Sequence, residues 1–265
     1  MTGSGQMESC SVGSATDLAP WPVAMRVLDV SFAKPAENLA YDELLLDDAE
    51  DGHGADTLRI WESPVPFVVL GVSQVLREHV RVDPCERDGV RILRRTSAGG
   101  CVVQGPGCLN FALVLSHASF PDIATIRGSY CLVLKRLAAA LRERGVNASH
   151  KGVSDLAAGG RKVSGNAQRR RRRFILHHGT LLYAMDSALM ERYLVEPVDR
   201  PQYRGDRPHT RFVKCLPLDA AAIREVLFRA FGGGGAVESP RKDELKAVRQ
   251  LAREKFAAAA WTTRR

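Results

Sequence analysis

No CxxC pair and no secretory-type leader pattern occur in this sequence; its six cysteines (Cys10, Cys85, Cys101, Cys108, Cys131, Cys215) are scattered singly. That scatter excludes a disulfide framework and a structural zinc site, and it predicts reduced thiols in a cytoplasmic protein. Long apolar runs are missing too. Each is broken by charge before it reaches the roughly twenty residues that a membrane helix needs, so no membrane partner is expected. Aromatic residues are sparse, at 6%, and the five-arginine run at 169–173 contains none, so it lacks the stacking groups of a single-strand binder. The formal charge of +8, from 38 basic and 30 acidic residues, owes much to that run. The remaining surface is mildly basic, which argues against a nucleic-acid partner. Both common nucleotide fingerprints are also lacking, since no GxGxxG opens a helix and no GxxxxGK[ST] occurs.

What is present fits one main domain, with 45% hydrophobic residues to build its core. Residues 1–24, rich in Ser, Gly and Thr without periodicity, read as a disordered leader. A domain over 25–235 follows, and 236–265 read as a C-terminal helical extension. Strand patterns lie over 25–32, 57–62, 66–71, 89–95, 101–103 and 109–115, the last two flanking the turn Gly105-Pro106-Gly107. Apolar residues at helical spacing mark 38–46, 218–231 and 243–260. The clearest helix covers 126–144, with cationic residues in its last turn and Gly145 beyond it. Strands over 154–158 and 161–165 form a hairpin around Gly159-Gly160, and a further strand runs over 174–183.

Two stretches can carry chemistry. In the first, Arg94 and Arg95 lead into Thr96, Ser97, Ala98, Gly99 and Gly100, whose backbone N–H groups can approach an anion closely while the guanidinium groups pair with phosphate or carboxylate. The same residues would also serve as a tight sheet turn with solvated arginines. In the second, Lys162 sits between the Gly159-Gly160 turn and the Ser164-Gly165 step, with His177 and His178 on the partner strand. A lone lysine on a strand is ordinarily a solvated edge charge. Its flanking glycines, which let backbone approach a ligand, set this one apart.

Taken together, Arg94 to Gly100, the Gly105-Pro106-Gly107 turn with Asn110, Asp155, the Gly160-Arg-Lys162-Val-Ser-Gly165-Asn-Ala-Gln168 stretch, and His177-His178-Gly179-Thr180 resemble the lipoate-protein ligase A family of the biotin/lipoate ligase superfamily. Asn38-Leu-Ala-Tyr-Asp-Glu43, Val69-Leu-Gly-Val-Ser-Gln74 and the stretch ending at Trp261 are similar to further landmarks of that family. The resemblance implies an α/β (α+β) fold of the biotin/lipoate ligase catalytic type, a central mixed β-sheet flanked by helices, with a glycine-rich loop roofing the acyl chain. It implies lipoate or octanoate as substrate, ATP and Mg2+ as cofactors, and an acceptor protein with a lipoyl-type domain as partner. Lys162 is the implied catalytic residue. Arg95, Ser97, Ala98, Gly99, Gly100, Gln104, Gly165, His177, His178 and Gly179 are implied to bind the substrate. Arg95, Asp155, Lys162 and Ser164 are implied to hold ATP, with Asp155 the metal ligand.

Three departures qualify this reading. Ala98 stands where the family shows glycine, and Gln104 stands where it commonly has histidine. The small accessory domain carried by many such ligases is missing after Trp261, so a separate accessory-domain polypeptide is implied as a partner. One alternative is an octanoyltransferase, which moves the acyl group from a carrier-protein thioester through a cysteine. No cysteine stands at 174–176 or 145–161, where transferases of this kind place theirs, and this favours the ligase. Another alternative is a non-catalytic module that binds lipoate or the acceptor. The five arginines at 169–173 are expected to steer an acidic acceptor.

Overall fold

The alternating segments fold into two sheets in the computed structural model, which describes residues 20–264. The strands are β1 (Arg26–Asp29), β2 (Thr57–Trp61), β3 (Phe67–Leu70), β4 (Arg91–Arg94), β5 (Val102–Gln104), β6 (Cys108–Ser116), β7 (Ala148–Lys151), β8 (Asp155–Ala158), β9 (Arg161–Arg170), β10 (Phe174–Leu182) and β11 (Val237–Glu238). The larger sheet runs β11-β1-β2-β6-β10-β9-β8-β7, and a small one runs β4-β3-β5. Parallel pairing of β1 with β2 and β11, beside antiparallel pairing through β6, β10, β9 and β8, makes the larger sheet mixed, as the resemblance implies.

Strand β6 is buried at all nine positions because both faces of the sheet are covered. On one face Phe111, Leu113, Ile175 and Leu181 pack against Val133 and Leu137 of helix Ile126–Glu143 and against Ile223 and Leu227 of helix Ala220–Phe231. On the other, Ala112, Val114 and Leu176 meet Leu39, Leu46, Phe67 and Val69, contributed by helix Pro35–Glu50 and the small sheet. Each such aliphatic side chain taken from water contributes about 1.5–3 kcal/mol. The helices start where local chemistry dictates. Thr125 accepts from the Gly128 N–H and Asp219 from the Ala222 N–H, while Pro35 opens its helix.

The motif beginning at Asn38 is structural. Arg59, fully buried, donates to Asp42 Oδ1 at 2.5 Å and to Asn38 Oδ1 at 2.8 Å, and its guanidinium stacks among Phe32, Tyr41 and Trp61.

Several expectations need correction. The leader over 1–24 falls partly outside the described residues, but Trp21 is 6% exposed and packs against Phe120 and Phe231, so order reaches back at least that far. The segment from 236 onward is woven into the domain: β11 pairs with β1, Arg26 bonds Glu244, and Lys255 donates to Glu43 at 2.7 Å. Its expected single helix is broken into Lys242–Leu251, a π-helical turn Ala252–Phe256, and Ala259–Thr262. The widened turn accompanies burial of Phe256 beside Lys255, which aims at Glu43. The arginine run, expected to steer an acceptor, forms an ion-paired corner. Arg169 bonds the buried Glu43, Arg171 bonds Asp47, Arg170 donates to the carbonyl of Ile123, and Glu50 accepts from the Arg173 N–H. Cys85, Cys101, Cys108 and Cys215 are free thiols, whereas Cys131 is disulfide-bonded, contrary to the expectation for all six. No helix among the described residues is long and apolar enough to cross a membrane.

Candidate functional site

Side chains alternate across β9 and β10, and this alternation decides which expected residues can meet. His177 bonds Gln168 and packs near Phe111 and Tyr130, so it belongs to the face under helix Ile126–Glu143. His178, its neighbour, points to the opposite face, as do Gly165 and Ala167 of β9 and Thr180 of β10. The arginine-glycine stretch after β4 lies over that second face.

This roof is held by close contacts. A Cβ on Gly71 would come within 2.0 Å of the Gly99 carbonyl oxygen, and Gly99 itself adopts φ 98°, so only glycine fits at either place. The left-handed glycine of this stretch is thus Gly99, one position beyond Ala98. Ser97 Oγ lies 2.6 Å from His178 Nε2 and accepts from Arg95 Nε at 3.0 Å. The Ser97 hydroxyl thus bridges the Arg95 guanidinium and the His178 imidazole, a neutral ring at this site. Burial, with the Arg95 charge nearby, lowers the His178 pKa to about 3, in agreement with that assignment.

The two arginines part company. Arg94, fully buried, bonds the carbonyls of Thr262, Gly71 and Gln74, tying the C-terminal segment to the turn after β3. Arg95 is 7% exposed and donates only to neutral groups, Ser97 Oγ and the carbonyls of Ala98 and Gly100. No carboxylate among the described residues pairs with it. Burial lowers its pKa to about 10, so it remains cationic at neutral pH.

Farther along the same face, Lys162 Nζ meets Asp155 Oδ1 at 2.7 Å. The tight β8–β9 turn and the direct pairing of Asp155 with Gly165 set this contact, and a Cβ on Gly165 would strike Lys162 Nζ at 2.8 Å. The second Asp155 oxygen accepts from Tyr203 at 2.8 Å. Both oxygens are therefore engaged, and no group of three or more His, Cys, Asp or Glu residues suited to a metal occurs among the described residues. Asp155, expected as the metal ligand, is thus held between Lys162 and Tyr203. At the other end Gln104 donates to Thr180, and Thr180 to Asn110, each at 2.7 Å, while Gln104 Oε1 is buried without a partner among the described residues.

Arg95, Ser97, Ala98, Gly99, Gly100, Gln104, Gly165, His178, Asp155 and Lys162 thus gather along one face. Ser164 and His177 do not. Ser164 is fully buried on the far face, bonded by Asn166. Gly179 also turns that way: a Cβ there would overlap Asn166 Oδ1 at 2.0 Å, so its glycine is explained by packing. Tyr203 escaped the sequence reading because it sits in an irregular segment without periodicity; its only signal was an isolated aromatic between Gln202 and Arg204.

A strip of this kind, with a buried cation at one end and a paired ammonium along it, can hold an anionic head group over a sheet floor. The profile of the lipoyl protein ligase A/B catalytic domain matches residues 34–236. Octanoyltransferase LipM of Carboxydothermus hydrogenoformans is 31% identical over 90% of this chain and 98% of its own length. The fold is shared with the bi-partite lipoate protein ligase of Thermoplasma acidophilum, at a TM-score of 0.79 and 22% identity over 91% of this chain and 96% of that one. It is also shared with a lipoate-protein ligase A bound with ATP, at a TM-score of 0.76 and 24% identity over 91% and 99% of the two chains. With its profile matched over most of the chain and a relative matched over nearly its whole length, this protein belongs to the family of lipoyl protein ligase A/B catalytic domains, which comprises lipoate-protein ligases and octanoyltransferases.

Proposed function

We propose that this chain is a lipoate- or octanoate-protein ligase, joining the acid to ATP as an acyl-adenylate and passing the acyl group to a lysine of a lipoyl-type acceptor domain. The observation that carries this reading is Arg95, a buried guanidinium with no carboxylate partner among the described residues. Neutral acceptors alone do not offset the several kcal/mol that burying a charge costs, and an anion seated beside it would. In the first step the acid's carboxylate oxygen attacks the α-phosphate and pyrophosphate leaves. Two anions must approach, so fixed cations and aimed N–H groups are required. Arg95, Lys162 and the backbone of Ser97, Gly99 and Gly100 supply them. In the second step the acceptor amine attacks the acyl carbonyl, the C–O bond to the adenylate breaks, and AMP leaves with the amide formed. Lys162 faces the oxygen on which charge builds. Gln104, Gly165 and His178 line the acyl path.

ATP use is supported by the fold shared with an ATP-bound ligase, and a separate accessory polypeptide by the bi-partite neighbour. The transferase reading has in its favour the near full-length matches to several octanoyltransferases, that of Carboxydothermus hydrogenoformans among them. It requires an activated thiol, however, and burial pushes Cys101 and Cys108 each up to about 12, leaving them protonated at neutral pH. Titration with a non-hydrolysable acyl-adenylate mimic tests the ligase reading. Tight binding that Arg95→Ala weakens at least tenfold supports it, and equal affinity in the two proteins counts against it.

A further inference from the structure

Between β10 and helix Ala220–Phe231 the chain makes short helices and turns, and one of them reaches the Asp155 that holds Lys162. Tyr203, in the 3-10 turn Gln202–Arg204, donates its hydroxyl to Asp155 Oδ2 at 2.8 Å while Asp155 Oδ1 holds the Lys162 ammonium at 2.7 Å. The phenol is itself fixed. Its ring lies 5.2 Å from that of Phe212, and Arg207 bonds the carbonyls of Tyr203, Arg204 and Gly160, clamping the turn to the β8–β9 corner. The same segment is laced to the strand that carries the lysine, since the Lys214 N–H donates to the Lys162 carbonyl and Arg161 bonds the carbonyls of Thr210 and Val213.

A carboxylate held through one oxygen can still rotate about its last side-chain bond, and an ammonium paired to it moves as well. Holding the second oxygen removes that freedom. We propose that Tyr203 is a positioning residue: its hydroxyl locks the Asp155 carboxylate, and Asp155 so locked sets the point at which the Lys162 ammonium meets the acyl carbonyl. The inference rests on the reading of Lys162 as the group that acts on the acyl substrate. It gives Asp155 a task that engages both of its oxygens.

Tyr203→Phe keeps the ring that packs on Phe212 and removes only the hydroxyl, so two readouts separate positioning from packing. First, kcat for acyl transfer should fall about tenfold to a hundredfold, as loss of precise placement does, with KM for the acid within about twofold. In an Asp155→Asn background the same change should cost nothing further. Second, the slowly exchanging side-chain ammonium signal of Lys162 in a nitrogen-15 lysine spectrum, assigned by its loss in Lys162→Arg, should broaden in Tyr203→Phe as in Asp155→Asn. An unchanged kcat, or a loss equally large in the Asp155→Asn background, would overturn the proposal. If the parent turns over no acyl donor, the ligase reading fails on its own. The ammonium signal then decides: unchanged in Tyr203→Phe it overturns the positioning role, broadened it supports it.

Discussion

At the scale of single residues, Lys162 and the buried histidines make separable predictions. Lys162 is partly exposed and held by Asp155, so truncation removes charge from the strip without opening the core. Lys162→Ala should therefore fold normally and lose about a hundredfold to a thousandfold in acceptor modification, followed by intact-protein mass. Lys162→Arg should rescue poorly, because a planar guanidinium cannot occupy the place of a point-like ammonium. A folded alanine variant that keeps a tenth of parental activity would mark the lysine as structural. The cysteines point the other way: Cys101→Ser and Cys108→Ser should cost stability through lost packing and leave turnover largely intact. An acyl thioester isolated on either sulfur would contradict this. His177 and His178, each lowered to about 3 by burial, stay neutral in the fold and bind protons in the unfolded chain from about pH 6.5 downward. The unfolded state then takes up more protons, so stability falls as pH falls from 6.5 toward 3, by about 1.4 kcal/mol per histidine per pH unit. Urea midpoints at pH 7.5 and 5 should show this, and His177→Gln should flatten the slope. An identical slope in that variant would contradict the account.

At the scale of elements, the corner between β9 and β10 changes what its arginines are expected to do. Arg169 reaches Glu43, which is 2% exposed and also holds Lys255, so charge reversal there leaves a buried carboxylate beside a new one. Arg169→Glu should destabilise by about 3–5 kcal/mol, read as a lowered thermal midpoint. Arg172→Glu, at an exposed position of the same run, should change stability little. Equal midpoints for the two variants would contradict the ion-paired corner. Much of this architecture was legible beforehand, because periodicity reports burial. The helix Ile126–Glu143 and strands β6 and β10 stand within a residue or two of where their patterns put them. What periodicity could not report was partnership. Nothing local tells that β3, β4 and β5 close a sheet of their own, or that two adjacent histidines serve opposite faces. The turn that carries Tyr203 owes its place to Arg207 and Phe212, contacts that its own three residues do not encode.

At the scale of the molecule, the mixed sheet acts as a floor and the small sheet carries the arginine-glycine roof that lies above it. The C-terminal segment, tied to Arg94 through the Thr262 carbonyl and to Glu43 through Lys255, braces that roof from behind. Arg95 lies over the floor, and no carboxylate among the described residues pairs with it. The central claim is that the anion is an adenylate made from ATP. The most direct measurement is a single-turnover incubation of the pure chain, with and without a candidate accessory polypeptide, with octanoate or lipoate, ATP and magnesium, beside a parallel incubation with octanoyl-carrier thioester. The account predicts AMP and acyl-adenylate in the first and no acyl transfer to acceptor in the second. Acceptor acylated from the thioester without ATP, together with no AMP in the first incubation, would contradict it.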